Sequence, residues 1–174
     1  MKKILFVLQT VRSGGSVTSM LNLRELLRRK GIAGYIFLLQ KEGVFLDRAE
    51  KIANVLPEEK IISSVLCSKS ELKKKGIMSI IIRLAFVLSH KIFGIRKTVQ
   101  WFYRKSAQKL SCKYDTIVAY QESLTTEYVQ YIECNKRIAW VHNDYCRFAL
   151  GKTVEQEQKL YDKYDEIVCV SQAS

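Results

Sequence analysis

Runs of consecutive apolar residues alternate along this chain with stretches whose apolar positions recur every three or four residues. Lys3-Ile4-Leu5-Phe6-Val7-Leu8 is almost continuously apolar, as expected of a parallel strand buried on both faces. After a break over residues 10–15, Val17, Met20, Leu21, Leu23, Leu26 and Leu27 fall at helical spacing. Lys30-Gly31 then supplies a basic last turn and a glycine stop. The alternation repeats. Residues 35–39 predict a second strand, 45–53 a short helix and 60–63 a third strand. Residues 116–120 predict a fourth strand, 123–132 a helix, 137–142 a fifth strand, 155–163 a helix and 166–170 a sixth strand. Strands alternating with helices define an α/β fold, a Rossmann-like doubly wound parallel sheet with helices on both faces. Ser171 follows the last strand as a helix N-cap residue would, so the pattern predicts one half of a longer protein. A complete domain with a frayed tail is the other reading.

Composition narrows the class. A chain of 174 residues is expected to form a single domain that buries roughly 70% of its unfolded surface. An apolar fraction of 48% and one proline, Pro57, argue against disorder. Cys67, Cys112, Cys134, Cys146 and Cys169 are scattered, odd in number and without a C-x-x-C pair. That suits a reduced, cytoplasmic protein in which most cysteines are small buried hydrophobes, with no metal site and no cofactor. The opening Met-Lys-Lys-Ile is followed by too short an apolar run for a secretory signal, and no small-residue cleavage site follows.

Two stretches carry candidate chemistry. Gly14-Gly15-Ser16 lies between the first strand and the first helix. A glycine loop there aims backbone N–H groups and the positive end of the helix at one spot, where phosphate or another anion can sit. It is not the full G-x-G-x-x-G fingerprint, so a tight turn without a ligand is the alternative. His142 ends the fifth strand and is followed by Asn143, Asp144 and Tyr145. Ligands of open α/β sheets bind beyond the carboxyl ends of the strands, although a His-Asn-Asp turn can also simply cap the next segment. One His and one Asp are too few to hold a metal. Glu122, at the end of the fourth strand, is a further ligand-binding candidate, and His90 falls in a helical stretch.

Taken in order, these segments resemble a known family. The opening strand, Gly14-Gly15 and first helix look like the N-terminal domain of GT-B glycosyltransferases of the family-four type. Tyr114-Asp115-Thr116-Ile117-Val118-Ala119-Tyr120-Gln121-Glu122 is similar to their fourth-strand segment. Ile138-Ala139-Trp140-Val141-His142-Asn143-Asp144-Tyr145 resembles the strand-plus-His segment of members that build bacterial surface polysaccharides, and Tyr164-Asp165-Glu166-Ile167-Val168-Cys169-Val170-Ser171 resembles the last strand before the second domain. The likeness is vague over residues 64–109. It also departs from the family pattern after Glu122, where Ser123 and Thr125 stand in place of a glycine and a proline. The resemblance implies the acceptor-binding half of a retaining, metal-independent sugar transferase, whose second domain would bind the nucleotide-sugar. It places Gly14, Gly15 and Ser16 at the donor diphosphate or sugar and His142 at the sugar as a hydrogen-bonding catalytic group. Glu122, Asn143 and Asp144 fall at a saccharide or lipid-linked acceptor.

Charge adds a second clue. The net charge is +12, and residues 69–109 hold eleven basic side chains against the single acid Glu71. Ile77, Ile80, Ile81, Leu84 and Leu88 form one helical stripe in that region, and Met78, Ile82 and Phe86 widen it beyond one buried face. The run is too short, and too interrupted by Arg83, to span a bilayer. A basic, apolar helical insertion near 69–111 suits the surface of an anionic membrane, with Lys73, Lys74, Lys75, Ile82 and Phe86 in contact. That would make the protein peripheral on the inner face of the plasma membrane. A core helix with a solvated basic rim is the competing expectation. The rival function is a non-catalytic basic module for anionic membrane or RNA. Long aliphatic runs, with no RRM-like aromatic pair, KH loop or zinc pattern, argue against nucleic acid.

Overall fold

The apolar runs become parallel strands of one six-stranded sheet in the order β3-β2-β1-β4-β5-β6. The computed structural model describes residues 3–142 and 153–170. The chain runs β1 (Lys3–Leu8), α1 (Gly15–Arg29), β2 (Ala33–Leu38), α2 (Leu46–Ile52) and β3 (Asn54–Val55). Four helices follow before the sheet resumes: α3 (Lys60–Leu66), α4 (Lys69–Lys74), α5 (Ile77–Phe93) and α6 (Ile95–Ala107). Then come β4 (Thr116–Ala119), α7 (Leu124–Val129), β5 (Lys136–Val141), α8 (Val154–Tyr161) and β6 (Glu166–Cys169). The central strand β1 pairs with β2 on one side and β4 on the other, so that Leu5 lies opposite Tyr35 and Ile117.

The two-residue period of a strand splits β1 between two cores. Phe6 and Leu8 join Val17, Met20 and Leu21 of α1 and Ala49 and Ile52 of α2 on one face. Leu5 and Val7 join Ile62 of α3, Tyr103 and Ala107 of α6, and Tyr128 and Val129 of α7 on the other. The described residues thus form the doubly covered, Rossmann-like α/β sheet that the pattern predicted.

The structure corrects the sequence reading in two places and decides between its two alternatives in a third. Residues 60–63 are not a strand. Glu59 ends an extended approach after Pro57, and its carboxylate accepts a 3.0 Å hydrogen bond from the Ile62 N–H, which caps α3. The third strand is instead the two-residue edge β3. Cysteines are mostly not core: of the four described, Cys67 is buried, Cys134 half-buried, and Cys112 and Cys169 exposed, while Cys146 lies outside the described residues. The stripe of α5 faces outward, not into a core. Ile77, Ile81, Leu84 and Leu88 are exposed, and Ser79 is the one buried residue of the helix. Its inner side rests on α3 and α6. There Phe86 meets Phe102 edge-on at 5.2 Å and the Arg83 guanidinium donates to the Val65 carbonyl.

One polar node fixes α3, α6 and α7 together. Glu59 accepts from Lys109 Nζ at 2.5 Å and from the Ser106 hydroxyl at 2.6 Å. Ser106 also shares a 2.8 Å hydrogen bond with the Tyr128 hydroxyl. Burial raises the Glu59 pKa, but the hydrogen bonds from Lys109, Ser106 and the Ile62 N–H, with the Lys109 charge, hold it below the ordinary carboxylate value. Because the folded pKa lies below the unfolded one, the carboxylate stabilises the fold above the ordinary value. That contribution disappears as pH falls through the folded one. Glu59→Gln is therefore expected to cost about 1–3 kcal/mol at neutral pH, the range for hydrogen bonds to a buried charge. Urea unfolding should show the gap between the two proteins closing in strong acid. A gap that stays constant with pH would assign Glu59 a packing role only.

Candidate functional site

Strand order 3-2-1-4-5-6 reverses direction between β1 and β4, and a doubly wound sheet opens a crevice at that point beyond its carboxyl ends. Three segments converge there: the loop from β1 into α1, the turn from β4 into α7, and the end of β5. Side chains join them directly. Gln121 accepts from the Gln9 N–H through Oε1 at 2.9 Å, and its Nε2 donates to the Ser16 hydroxyl at 3.3 Å. Glu122, the next residue, accepts a hydrogen bond from the backbone N–H of His142. Ser16, Gln121, Glu122 and His142 thus form a continuous line across the reversal, from the first turn of α1 to the end of β5.

The α1 end of this line presents backbone donors. Gly14 takes φ 154° and ψ 153°, a region occupied essentially by glycine alone. It turns the chain into a helix that has no side-chain cap and no acidic residue in its first turn. Neither a cap nor an acid of its own first turn offsets the positive end of the α1 dipole. Among the described residues, a Cβ on Gly15 would meet nothing within 4 Å, so none of them blocks the approach to this backbone. The loop is held from behind by the segment after β2. The Val11 N–H donates to the Glu42 carbonyl at 3.0 Å, the Phe45 N–H donates to the Val11 carbonyl at 3.1 Å, and Arg12 pairs with Glu42 at 2.7 Å. Gly43 makes this contact possible, since a Cβ there would lie 2.1 Å from the Val11 carbonyl carbon.

An aromatic row supports the other end. Tyr120 is fully buried and stacks on Trp140 at 4.5 Å, and the His142 ring lies 5.1 Å from Tyr120 and 5.7 Å from Trp140. Burial pushes the Tyr120 phenol up, partly offset by its 3.0 Å hydrogen bond with the Ser19 hydroxyl. It therefore remains a neutral hydroxyl that ties β4 to α1. Among the described residues His142 Nε2 is buried and has no hydrogen-bond partner. A buried ring nitrogen in that condition calls for a polar partner. Among the same residues, no group of three or more His, Cys, Asp and Glu side chains comes together.

Of the sequence candidates, Gly14, Gly15, Ser16, Glu122 and His142 gather at the reversal. Asn143 and Asp144 lie outside the described residues. Lys73 and Lys74 are exposed elsewhere, on α4. Lys75 pairs with Glu58, and Ile82 and Phe86 are half-buried on the protein side of α5. Sequence reasoning missed Gln121, the residue that bridges the two loops, and the support from Ser19, Tyr120 and Trp140. Gln121 had a usable signal, a polar residue directly after a buried strand, but its reach to Ser16 spans 105 positions of sequence. No protein-family model matches this chain, and neither does any curated protein.

The turn after β4 carries local strain. Ser123 adopts φ 71° and ψ −111° and makes no side-chain cap to α7. That conformation favours glycine, the residue expected at this position from the resemblance. Thr125, in place of the expected proline, is fully buried and gives its hydroxyl hydrogen to the Gln121 carbonyl. Ser123→Gly is expected to stabilise the fold by about 1 kcal/mol, as relief of a left-handed backbone outweighs the added freedom of the unfolded chain. The midpoint of denaturant unfolding reports this, and a lowered midpoint would mean that Ser123 is not strained.

Proposed function

We propose that this chain is the acceptor-side domain of a retaining glycosyltransferase that moves a sugar from a nucleotide-sugar to a saccharide or lipid-linked acceptor. The observation that carries the reading is the line Ser16–Gln121–Glu122–His142 across the sheet reversal, with the open Gly14-Gly15 backbone at one end. The chemistry suits a sugar bearing a diphosphate. Backbone N–H groups and the positive end of α1 favour negative charge that develops on a departing phosphate. His142 offers Nε2 to a sugar hydroxyl, and Glu122 fixes the backbone from which that ring projects. A partner domain, implied by the family resemblance, would hold the nucleotide.

Amide chemical shifts of the labelled chain, titrated with nucleotide-sugars and saccharides, test this reading. Gly14, Gly15, Ser16, Gln121 and His142 are expected to move together. Gly15→Val should fold normally, because its new side chain has space, yet lose the response by blocking approach to the backbone. His142→Ala is expected to weaken binding about tenfold, the cost of one hydrogen bond in an enclosed site. The isolated chain should transfer no sugar. A panel that leaves all of these amides unmoved, or turnover by this chain alone, would overturn the proposal.

A further inference from the structure

Helix α5 is placed with its apolar side outward. Ile77, Ile81, Leu84, Leu88 and Ile92 follow one another at steps of four, three, four and four residues and lie along one line. Each is between 52% and 76% exposed, and Met78 and Ala85 flank the line and are exposed too. The opposite side is committed to the protein through Arg83 and Phe86. The helix therefore cannot roll to hide its aliphatic face without breaking those contacts. A contiguous exposed apolar face of this kind marks an interaction surface.

The surroundings of this face are cationic. Lys69, Lys73 and Lys74 are exposed before the start of α5, and Lys91, Arg96 and Lys97 near its end. Glu71 is the one acid between Lys69 and Lys109. At the α5–α6 junction, Phe93 and Trp101 are exposed by 63% and 59%. With Phe102 and Lys97 they line a cavity of about 460 Å³. Exposed aliphatics with cations at both ends of the helix, and a tryptophan near one of them, match the boundary between acyl chains and anionic headgroups. A second copy of the chain fits less well. Both ends of α5 are positive, so either orientation of a helix pair sets like charges together. Among the described residues no helix is long and apolar enough to cross a membrane.

We propose that α5 lies flat on a bilayer containing anionic lipid, its Ile77–Ile81–Leu84–Leu88–Ile92 line entering the acyl boundary and the flanking cations resting on the headgroups. This contact stands independently of the sugar-transfer reading. The test is co-sedimentation of the chain with vesicles of phosphatidylcholine, alone or mixed with phosphatidylglycerol. Partition is expected only with the anionic mixture, weakened but not abolished by high salt, with a blue shift of Trp101 emission. Ile81→Glu combined with Leu84→Glu alters two exposed positions. It should keep the native circular dichroism yet reduce partition at least about tenfold. Lys73→Glu with Lys74→Glu should reduce it about fivefold per cation removed. Val44→Glu, at a 78% exposed position before α2, should leave it unchanged. No partition at low salt would overturn the proposal. So would partition indifferent to Ile81→Glu and Leu84→Glu, or a solution dimer dissolved by those changes with no vesicle binding.

Discussion

A parallel sheet leaves neither of its faces to water, and the rest of this structure follows from that constraint. Each strand of the centre sends alternate side chains to opposite sides, and each side needs its own cover. Phe6 and Leu8 are covered by α1 and α2, and Leu5 and Val7 by α3, α6 and α7. The second cover is assembled from helices separated by long stretches of chain, which need a fixed meeting point. Glu59 supplies it, with hydrogen bonds to α3 and α6 and, through Ser106, to Tyr128 of α7. A buried carboxylate is tolerated there because its oxygens are satisfied by three donors, one of them a cation.

Once that cover is complete, α5 has no place against the sheet. It forms an outer layer on α3 and α6, and its remaining side faces away from the protein. An apolar helix in the interior needs no polar face, whereas one in an outer layer ordinarily acquires one. The outer face of α5 has not, although positive charge lies at both of its ends. That combination is the ground on which a lipid surface is proposed as its partner.

The candidate site arises from the same topology by a different route. Reversal of strand order between β1 and β4 separates the loops that follow them, and Gln121 closes that separation by bonding both Gln9 and Ser16. The site is supported at its edges, with Gly43 packed under Val11 on one side and Tyr120 stacked on Trp140 on the other. Between these supports lie groups that can take part in binding: uncapped N–H groups of α1 and the Nε2 of His142. The strained turn at Ser123 sits directly after Glu122.

What could be read from the sequence was whatever depends on local periodicity. Continuous apolar runs such as Leu5 to Leu8 and Ile117 to Ala119 identified buried parallel strands, because burial on both faces removes polar alternation. Gly14 and Gly15 at the start of α1 and the strand-end positions of Glu122 and His142 marked one end of the sheet, because chain direction alone places them there. Residues 60–63 misled because a short apolar run is equally compatible with strand or helix, and the Glu59 cap that decides between them is a contact. The stripe of α5 was legible as a stripe, but whether it faced in or out was not. Periodicity gives the spacing of a face, while its direction depends on which helices have already covered the sheet. Likewise Gln121 and Ser16, 105 residues apart, became neighbours only through the strand order, which no local pattern encodes.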